Sequence, residues 1–261
     1  MEKEVSVEER KSIQLEMLEE IDSFCRLHQI RYIIAYGTLI GAIRHQGFIP
    51  WDDDVDIIMP LSDMLRFKEE FQSEKLQYCD VDTYKGHQFP FSRIAYKPTY
   101  SKTGKVSQSY GVNIDLYFTI GISDNDEKVD NFFKGANRLL KCRLLARKVN
   151  EILTRHLPIR SIPGYNKINR IYRDYYMRAC VHDNPKRFFA VSGLPIWTEV
   201  YDFDLFANLI DVKFENLTLL APAEYHRFLT QEYGDYMQLP PEEERHPYHG
   251  GRYFWKNNMT V

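Results

Sequence analysis

The sequence contains few cysteines, few glycines and prolines, and no long apolar run. With 13 glycines and 12 prolines in 261 residues it is neither collagen-like nor of low complexity, and 44% hydrophobic residues indicate a folded core. No stretch reaches the roughly 20 apolar residues that cross a bilayer, and the charged N-terminus predicts no secretion signal. The cysteines are Cys25, Cys79, Cys142 and Cys180. Because they lie far apart and in no zinc-binding spacing, we expect neither a disulfide nor structural zinc, and a cytoplasmic location.

Charge is unevenly distributed along a chain whose net charge is only −3. Residues 128–187 contain 15 lysines and arginines against 4 acidic residues, so the rest of the chain is acidic. Apolar residues recur in this basic segment at intervals of three and four, which predicts amphipathic helices interrupted at Pro158 and at Pro163-Gly164. Such helices would either hold the protein to an anionic membrane surface or form an ordinary helical subdomain with solvated charges. The acidic remainder and the lack of a recognised motif argue against a nucleic-acid partner.

Helix and strand patterns are mixed in the rest of the chain. Apolar residues from Ile13 to Cys25 follow helical spacing, and the apolar run at 32–36 predicts a buried strand. A short helix at 39–45 and a strand at 54–57 follow, then a helix from Ser62 and strands near 76–83, 89–96 and 111–118. Because strands and helices do not alternate regularly, we predict an α+β fold: a mixed β-sheet core with flanking helices and a helical basic insertion.

Aspartates are concentrated at four of five neighbouring positions: Asp52, Asp53, Asp54 and Asp56. Like charges this close repel, so a bound cation or solvent exposure must offset the repulsion. A solvated acidic turn is one interpretation. An EF-hand calcium loop is excluded, because the sixth and twelfth positions from Asp52 are Ile57 and Asp63. On a strand, Asp54 and Asp56 would share one face, and their oxygens would suit Mg²⁺ or Mn²⁺ holding phosphate.

The order of these parts resembles a known superfamily. A strand, a glycine with a hydroxyl residue (Gly37-Thr38), a short helix, a D-x-D strand and a third aspartate, Asp115, on a later strand are the arrangement of nucleotidyltransferases. Residues 36–57 resemble more closely the signature of the LicD family, which includes bacterial phosphocholine transferases and, more distantly, fukutin and fukutin-related protein. Phe214-Glu215, residues 233–237 and Pro240-Pro241 resemble the closing segment of that family. The basic segment has the least resemblance.

The resemblance implies catalytic and metal-binding roles for three aspartates. Asp54, Asp56 and Asp115 would hold the metal, with Asp115 as either a shared ligand or the base that accepts a proton from the acceptor. Gly37 and Thr38 would contact a phosphate at the start of the short helix. The neighbouring Asp52 and Asp53 would support the ligands or cap the loop.

Further positions are implied as substrate contacts. Arg44 lies where a guanidinium would clamp a diphosphate, and Arg93 is a second candidate unless it is an ordinary surface arginine. Trp51 would stack on the nucleobase or belong to the core. His246 and His249 would line a substrate pocket, or have no role in the chemistry.

The expected function is metal-dependent transfer of a substituted phosphate, phosphocholine first among the candidates, from a CDP-linked donor to a sugar hydroxyl with release of CMP. The acceptor would be a cell-surface glycan or teichoic-acid precursor, lipid-linked if the basic segment contacts the inner face of the cell membrane. Nucleotide transfer, transfer of glycerol or ribitol phosphate, and a silent binding module are the alternatives. We expect a nucleotidyltransferase-like core at 1–127, the basic helical segment at 128–187, and a C-terminal part at 188–261 that completes the same domain.

Overall fold

The computed structural model of the chain describes residues 2–84, 87–103, 106–108, 110–154, 162, 164–179, 185–247 and 251–256. Helices and strands are mixed, and the predicted α+β class is confirmed. The helices are α1 (Val7–His28), α2 (Tyr36–Ile40), α3 (Leu61–Glu70), α4 (Asp126–Thr154), α5 (Tyr165–Ala179) and α6 (Tyr225–Tyr233). A π-helical turn, Gly41–His45, directly continues α2.

The strands are short, and most of them pair antiparallel with a neighbour. They are β1 (Ile33–Ile34), β2 (Asp56–Pro60), β3 (Leu76–Cys79), β4 (Ser92–Tyr96), β5 (Thr99–Thr103), β6 (Val106–Gln108), β7 (Asn113–Ile122), β8 (Arg187–Val191), β9 (Val200–Tyr201), β10 (Leu209–Phe214), β11 (Leu217–Pro222) and β12 (Arg252–Trp255). The chain folds into two compact units. The first comprises Met1–Tyr78, Arg93–Leu116 and Leu205–Val261, and the second Cys79–Ser92 and Tyr117–Asp204.

The first unit is built around a sheet in the order β1-β2-β7-β4-β3. Of β7, residues 113–116 belong to this unit. Val55, Ile57 and Ile58 are fully buried, because apolar residues at the centre of a sheet are covered on its faces. Helix α1 begins at a capping box, in which Glu9 N–H donates to Ser6 Oγ at 3.1 Å and Ser6 N–H donates to Glu9 Oε2 at 2.9 Å. Its apolar face is buried.

Two smaller sheets complete the first unit. Strands β10 and β11 form an antiparallel hairpin, and β12 pairs antiparallel with β5, which pairs with β6. The N-terminus joins the second of these sheets through a bridge between Glu4 and Phe254. Segments from both ends of the chain are therefore needed to build this unit.

The second unit contains the two helices predicted for the basic segment, α4 and α5. The end of β7 pairs antiparallel with β8, and β8 pairs with β9. Phe133 packs against Phe189 at 5.2 Å between ring centroids, and Tyr176 stacks on the same ring at 6.0 Å. Gly164 precedes α5 with a φ of +86°, as the predicted break requires, whereas Pro158 and Pro163 lie outside the described residues.

The described helices include no segment that is both long enough and apolar enough to span a bilayer. The predicted boundaries between residues 127 and 128 and between 187 and 188 stay a prediction.

Candidate active site

A cleft of about 750 Å³ in the first unit combines the N-terminal signature with the closing segment. Its N-terminal lining comprises Tyr36, Gly37, Ile40, Arg44, Ile49, Trp51, Asp52, Asp54 and Asp56. Its C-terminal lining comprises Tyr233, Asp235, Tyr236, Gln238, Leu239, Pro240, Pro241, Glu244 and His246. The two stretches that were singled out in the sequence are therefore the two walls of one cleft.

The turn that begins α2 is tightly constrained. Tyr36 has a φ of +47°, a conformation that costs a residue with a side chain about 1 kcal/mol or more. A Cβ on Gly37 would lie 2.6 Å from Asp52 Oδ2, so only glycine allows the carboxylate to approach this backbone. Thr38 is buried, and its Oγ1 accepts a hydrogen bond of 2.9 Å from the N–H of Asp56. The hydroxyl of Thr38 thus fixes the start of β2, and its predicted phosphate contact stays a prediction.

Three consecutive aspartates form the acidic cluster. Carboxylate oxygens of Asp52, Asp53 and Asp54 all lie within 4.8 Å of one another. Desolvation, together with the charge of Asp54, raises the pKa of Asp52 to about 7. Three hard oxygen donors that repel one another match the preference of a divalent cation such as Mg²⁺, so the residues fit a metal. Asp54 was predicted as a ligand, whereas Asp52 and Asp53 were predicted only as supporting residues.

Asp53 has a cationic partner of its own. Arg10 Nη1 on α1 lies 3.5 Å from Asp53 Oδ2, and both side chains are almost fully buried. A buried carboxylate requires such a partner, and loss of either charge would leave the other uncompensated. Arg10 therefore ties the acidic cluster to α1. Sequence reasoning missed it, because an arginine on an amphipathic helix carries no signal of a distant partner.

The other two predicted aspartates, Asp56 and Asp115, are buried beside this cluster. Asp115 N–H donates to Val55 O at 2.9 Å, which places the start of β7 beside the residue between Asp54 and Asp56. Asp56 lines the large cleft, and Asp115 lines a second cavity of about 220 Å³ together with Asp53, Asp54 and Tyr253. Asp54 lines both cavities.

Arg93 pairs with Asp115 through two contacts. Nε lies 2.7 Å from Asp115 Oδ1, and Nη2 donates to Oδ2 at 3.0 Å. Asn113 Nδ2 also donates to Oδ1, at 2.9 Å. The guanidinium of Arg93 thus contacts both carboxylate oxygens and fixes the orientation of Asp115. Arg93 was predicted to bind phosphate; in this structure it holds the third aspartate in the small cavity.

Basic and aromatic side chains accompany the acidic residues in the large cleft. Arg44 Nη1 donates to the carbonyl of Tyr236 at 2.7 Å and to that of Gln238 at 3.2 Å, so it also fastens the closing segment. Burial and the charge of Arg245 lower the pKa of Arg44. Arg245 lies over the ring of Trp51 at 5.5 Å. Two neighbouring arginines, one of them over the Trp51 indole, make this part of the cleft suited to an anionic nucleotide.

Two further residues of the closing segment line the cleft. Tyr233 is 48% exposed as a whole. Desolvation of its hydroxyl and the charge of Asp56 nevertheless raise its pKa, so the group stays protonated and can donate a hydrogen bond. His246 lines the cleft and is exposed, and its predicted role as a substrate contact stays a prediction; His249 lies outside the described residues. Tyr233 was not singled out as a site residue, because one tyrosine among 18 has no distinguishing pattern.

The hairpin between β10 and β11 secures the loop that carries Trp51. Glu215, at its turn, has a φ of +53° and donates its N–H to Gln46 O at 2.7 Å. Its Oε1 accepts from Phe48 N–H at 3.0 Å, and a Cβ on Gly47 would collide with the same carboxylate. Glu215, which the sequence marked only by its resemblance to the closing segment of the family, therefore supports the signature loop.

Comparison with known proteins shows what this chain is similar to. Residues 29–140 match the family described as LicD/FKTN/FKRP, nucleotidyltransferase domain. The chain is 28% identical over 261 residues to the lipopolysaccharide cholinephosphotransferase LicD of Haemophilus influenzae, a match that covers 95% of this chain and 97% of that protein. Uncharacterized proteins of Rickettsia typhi and Rickettsia prowazekii are 37% and 35% identical over 68 and 78 residues, which cover 22% and 29% of their lengths. The resemblance to the LicD family that the signature predicted is confirmed.

Proposed function

We propose that this LicD-type chain is a metal-dependent transferase that moves phosphocholine from CDP-choline to a sugar hydroxyl of a cell-surface glycan and releases CMP. One observation carries the proposal: the likeness to a lipopolysaccharide cholinephosphotransferase extends over 95% of this chain, far more than the N-terminal wall of the cleft alone. The acidic cluster, together with Arg44 and Arg245, supports it, because a CDP-linked donor combines a diphosphate, which needs cations, with a base that can stack.

The acidic cluster would hold the metal through Asp52, Asp53 and Asp54, with Asp56 nearby. A bound Mg²⁺ or Mn²⁺ would supply charge neutralisation at the diphosphate. Arg44, and Arg245 beside Trp51, would bind the donor. The sugar oxygen would form a bond to the phosphorus of the phosphocholine group as the bond from that phosphorus to the bridging oxygen breaks, leaving CMP.

The reaction also requires a base that accepts the proton of the acceptor hydroxyl. Asp115 was predicted to take this proton, but Arg93 already contacts both of its carboxylate oxygens, with Nε 2.7 Å from Oδ1 and Nη2 3.0 Å from Oδ2. We therefore propose that Asp115 orients the acceptor or completes the charge around the metal. Asp54, which borders both cavities, is the better placed proton acceptor whenever it is not fully engaged by the metal.

The acceptor is proposed to be lipid-linked, which would place the enzyme at the inner face of the cell membrane. Nucleotide transfer is the alternative reaction in the same fold. The two reactions differ in which half of the donor remains on the acceptor. CDP-ethanolamine, CDP-glycerol and CDP-ribitol are the alternative donors, and a teichoic-acid precursor is an alternative acceptor.

The test uses CDP-choline labelled either in the choline methyl groups or in the cytidine, with Mg²⁺ and a soluble oligosaccharide derived from lipopolysaccharide. We expect the choline label, and not the cytidine label, on the oligosaccharide. Asp54→Asn should abolish transfer, while Asp124→Asn, an exposed control with the same change of charge, should not. Cytidine label on the acceptor would establish nucleotide transfer, and faster transfer from another CDP donor would replace choline as the cargo.

A further inference from the structure

One side of α4 is uncovered in the second unit and carries basic and aliphatic residues together. Spacings of three, four and seven residues place these side chains on the same side of a helix. The residues are Lys134, Arg138, Lys141, Leu145, Lys148, Val149 and Ile152, and we call them the α4 face. Leu145 is 66% exposed and Ile152 63%, although both are residues that folded proteins normally bury.

The opposite side of α4 packs against the rest of the second unit. Val129, Phe133 and Ala136 are buried, and Arg143 places its guanidinium over the ring of Tyr172 on α5 at 5.1 Å. Asn150, also buried, accepts a hydrogen bond of 2.8 Å from the N–H of Ile162. The helix is therefore fixed to its unit along one side. Packing within the described part of the unit gives no reason for the aliphatic residues of the other side.

The charges of the α4 face have one sign. Between Lys134 and Ile152 the sequence contains a single acidic residue, Glu151, which lies on a neighbouring side of the helix and pairs with Arg147 at 3.5 Å. The four basic side chains of the face are exposed. At about 1.5 Å per residue, the face extends roughly 27 Å along the helix axis. An extended, exposed and purely basic surface with aliphatic residues at one end is electrostatically complementary to an anionic partner.

We propose that the α4 face binds an anionic lipid surface, with the helix lying in the plane of the membrane. Lysine would meet the phosphates of lipid headgroups, and Leu145, Val149 and Ile152 would enter the boundary between headgroups and acyl chains. Lysine is depleted in protein–protein interfaces, which argues against a second copy of the chain as the occupant. The aliphatic residues would offer no stacking platform to a nucleic acid. The inference deepens the proposed function, on which it rests for the lipid-linked acceptor.

Cys142 gives the experiment a probe at the edge of this face. It is exposed, whereas Cys25 and Cys79 are buried, so an environment-sensitive fluorophore can be attached to Cys142 in the full-length Cys180→Ser protein. Vesicles of phosphatidylcholine alone and vesicles with about 30% phosphatidylglycerol are added at low salt, and flotation measures the bound fraction in parallel. We expect a blue shift and flotation with anionic vesicles only, both reversed as salt screens the charges.

Variants separate the contributions of charge and insertion. Lys141→Gln with Lys148→Gln should weaken binding about 25-fold, at roughly fivefold for each charge near the surface. Leu145→Gln with Ile152→Gln should weaken it on the order of tenfold and suppress the blue shift. Lys68→Gln with Lys75→Gln removes the same charge from the first unit and should leave binding unchanged.

Three outcomes would overturn the proposal. The first is that the protein does not bind anionic vesicles at low salt, or that it binds phosphatidylcholine vesicles equally well. The second is an equal loss in the Lys68 and Lys75 control, which would reduce the effect to net charge. The third is a wild-type dimer that Leu145→Gln with Ile152→Gln converts to a monomer, which would assign the face to a second copy. Transfer to the soluble oligosaccharide should be unchanged in the α4 variants. Vesicle binding without any transfer by the wild type would therefore reject the proposed function and leave the lipid surface standing.

Discussion

Replacing Asp54 with asparagine should stabilise the metal-free protein and at the same time remove its response to magnesium. The carboxylate oxygens of Asp52, Asp53 and Asp54 lie within 4.8 Å of one another. Two unit charges at that distance repel by roughly 3 kcal/mol at an effective dielectric constant of about 20. Partial protonation of Asp52 and access of solvent to Asp54 reduce this energy, so we expect a gain of about 1 to 2 kcal/mol.

The same substitution should reverse the order of stability when metal is present. Wild-type protein in Mg²⁺ at about a hundred times its Kd would gain roughly 2.7 kcal/mol. An amide at position 54 is a poorer ligand of nearly the same shape, so the variant should gain little. In EDTA the variant should melt about 2 to 6 °C above wild type, and in saturating Mg²⁺ it should melt below it.

Asp53→Asn is the matched control, because it removes an equal charge from the same cluster. It also leaves Arg10 buried opposite a neutral group, so in EDTA the variant should lose about 3 kcal/mol, and in Mg²⁺ the deficit should be larger because Asp53 is also a proposed ligand. Differential scanning calorimetry of the three proteins in EDTA and in Mg²⁺ measures all of these differences. An Asp54→Asn protein that melts below wild type in EDTA, or that gains as much from Mg²⁺ as wild type does, would refute the reasoning.

Three further predictions concern the groups around the cluster. The pKa of Asp52 is raised to about 7, so in the metal-free protein its contribution to the free energy of unfolding is present below pH ~4 and is lost as the pH rises through 7. The urea midpoint of unfolding in EDTA should therefore fall between pH 5 and 8. Asp52→Asn should make that midpoint nearly independent of pH. Arg93→Lys keeps the charge opposite Asp115 but loses the planar guanidinium that contacts both carboxylate oxygens, and chemical denaturation should show a loss of about 1 kcal/mol, against about 3 kcal/mol for Arg93→Ala. Thr38→Val removes the acceptor for the Asp56 N–H and should cost about 1 to 3 kcal/mol by the same assay, while Thr38→Ser should cost much less.

Local patterns in the sequence predicted the elements of the signature well. The apolar alternation placed Val55 and Ile57 in the core, where both are fully buried, and the two helices of the basic segment are present. The strand was predicted to begin at Asp54, but β2 begins at Asp56. Period-two alternation fixes which side chains face the core and not where the backbone first pairs, because pairing depends on a distant strand.

Long-range partners could not be predicted in the same way. Arg44 binds backbone carbonyls of Tyr236 and Gln238, and carbonyls exist at every residue, so no side-chain pattern marks them. The sequence marked Arg93 as a candidate phosphate contact. A guanidinium binds phosphate and carboxylate through the same kind of charge-assisted hydrogen bond, so the sequence could not tell which of the two it binds. Only the packing of β4 beside β7 shows that Asp115 is the group within its reach.

The hydrogen bonds between Glu215 and the loop at 46–48 determine how late in folding the cleft can form. The loop at 46–48 is held by a residue 167 positions beyond Phe48, and Arg44 needs carbonyls still further along the chain. During synthesis the signature therefore leaves the ribosome long before its supports exist. Because contacts of such separation carry a large loop-closure cost, the cleft should be among the last parts of the molecule to assemble. A fragment limited to residues 29–140 would contain the family signature without the hydrogen bonds that shape it.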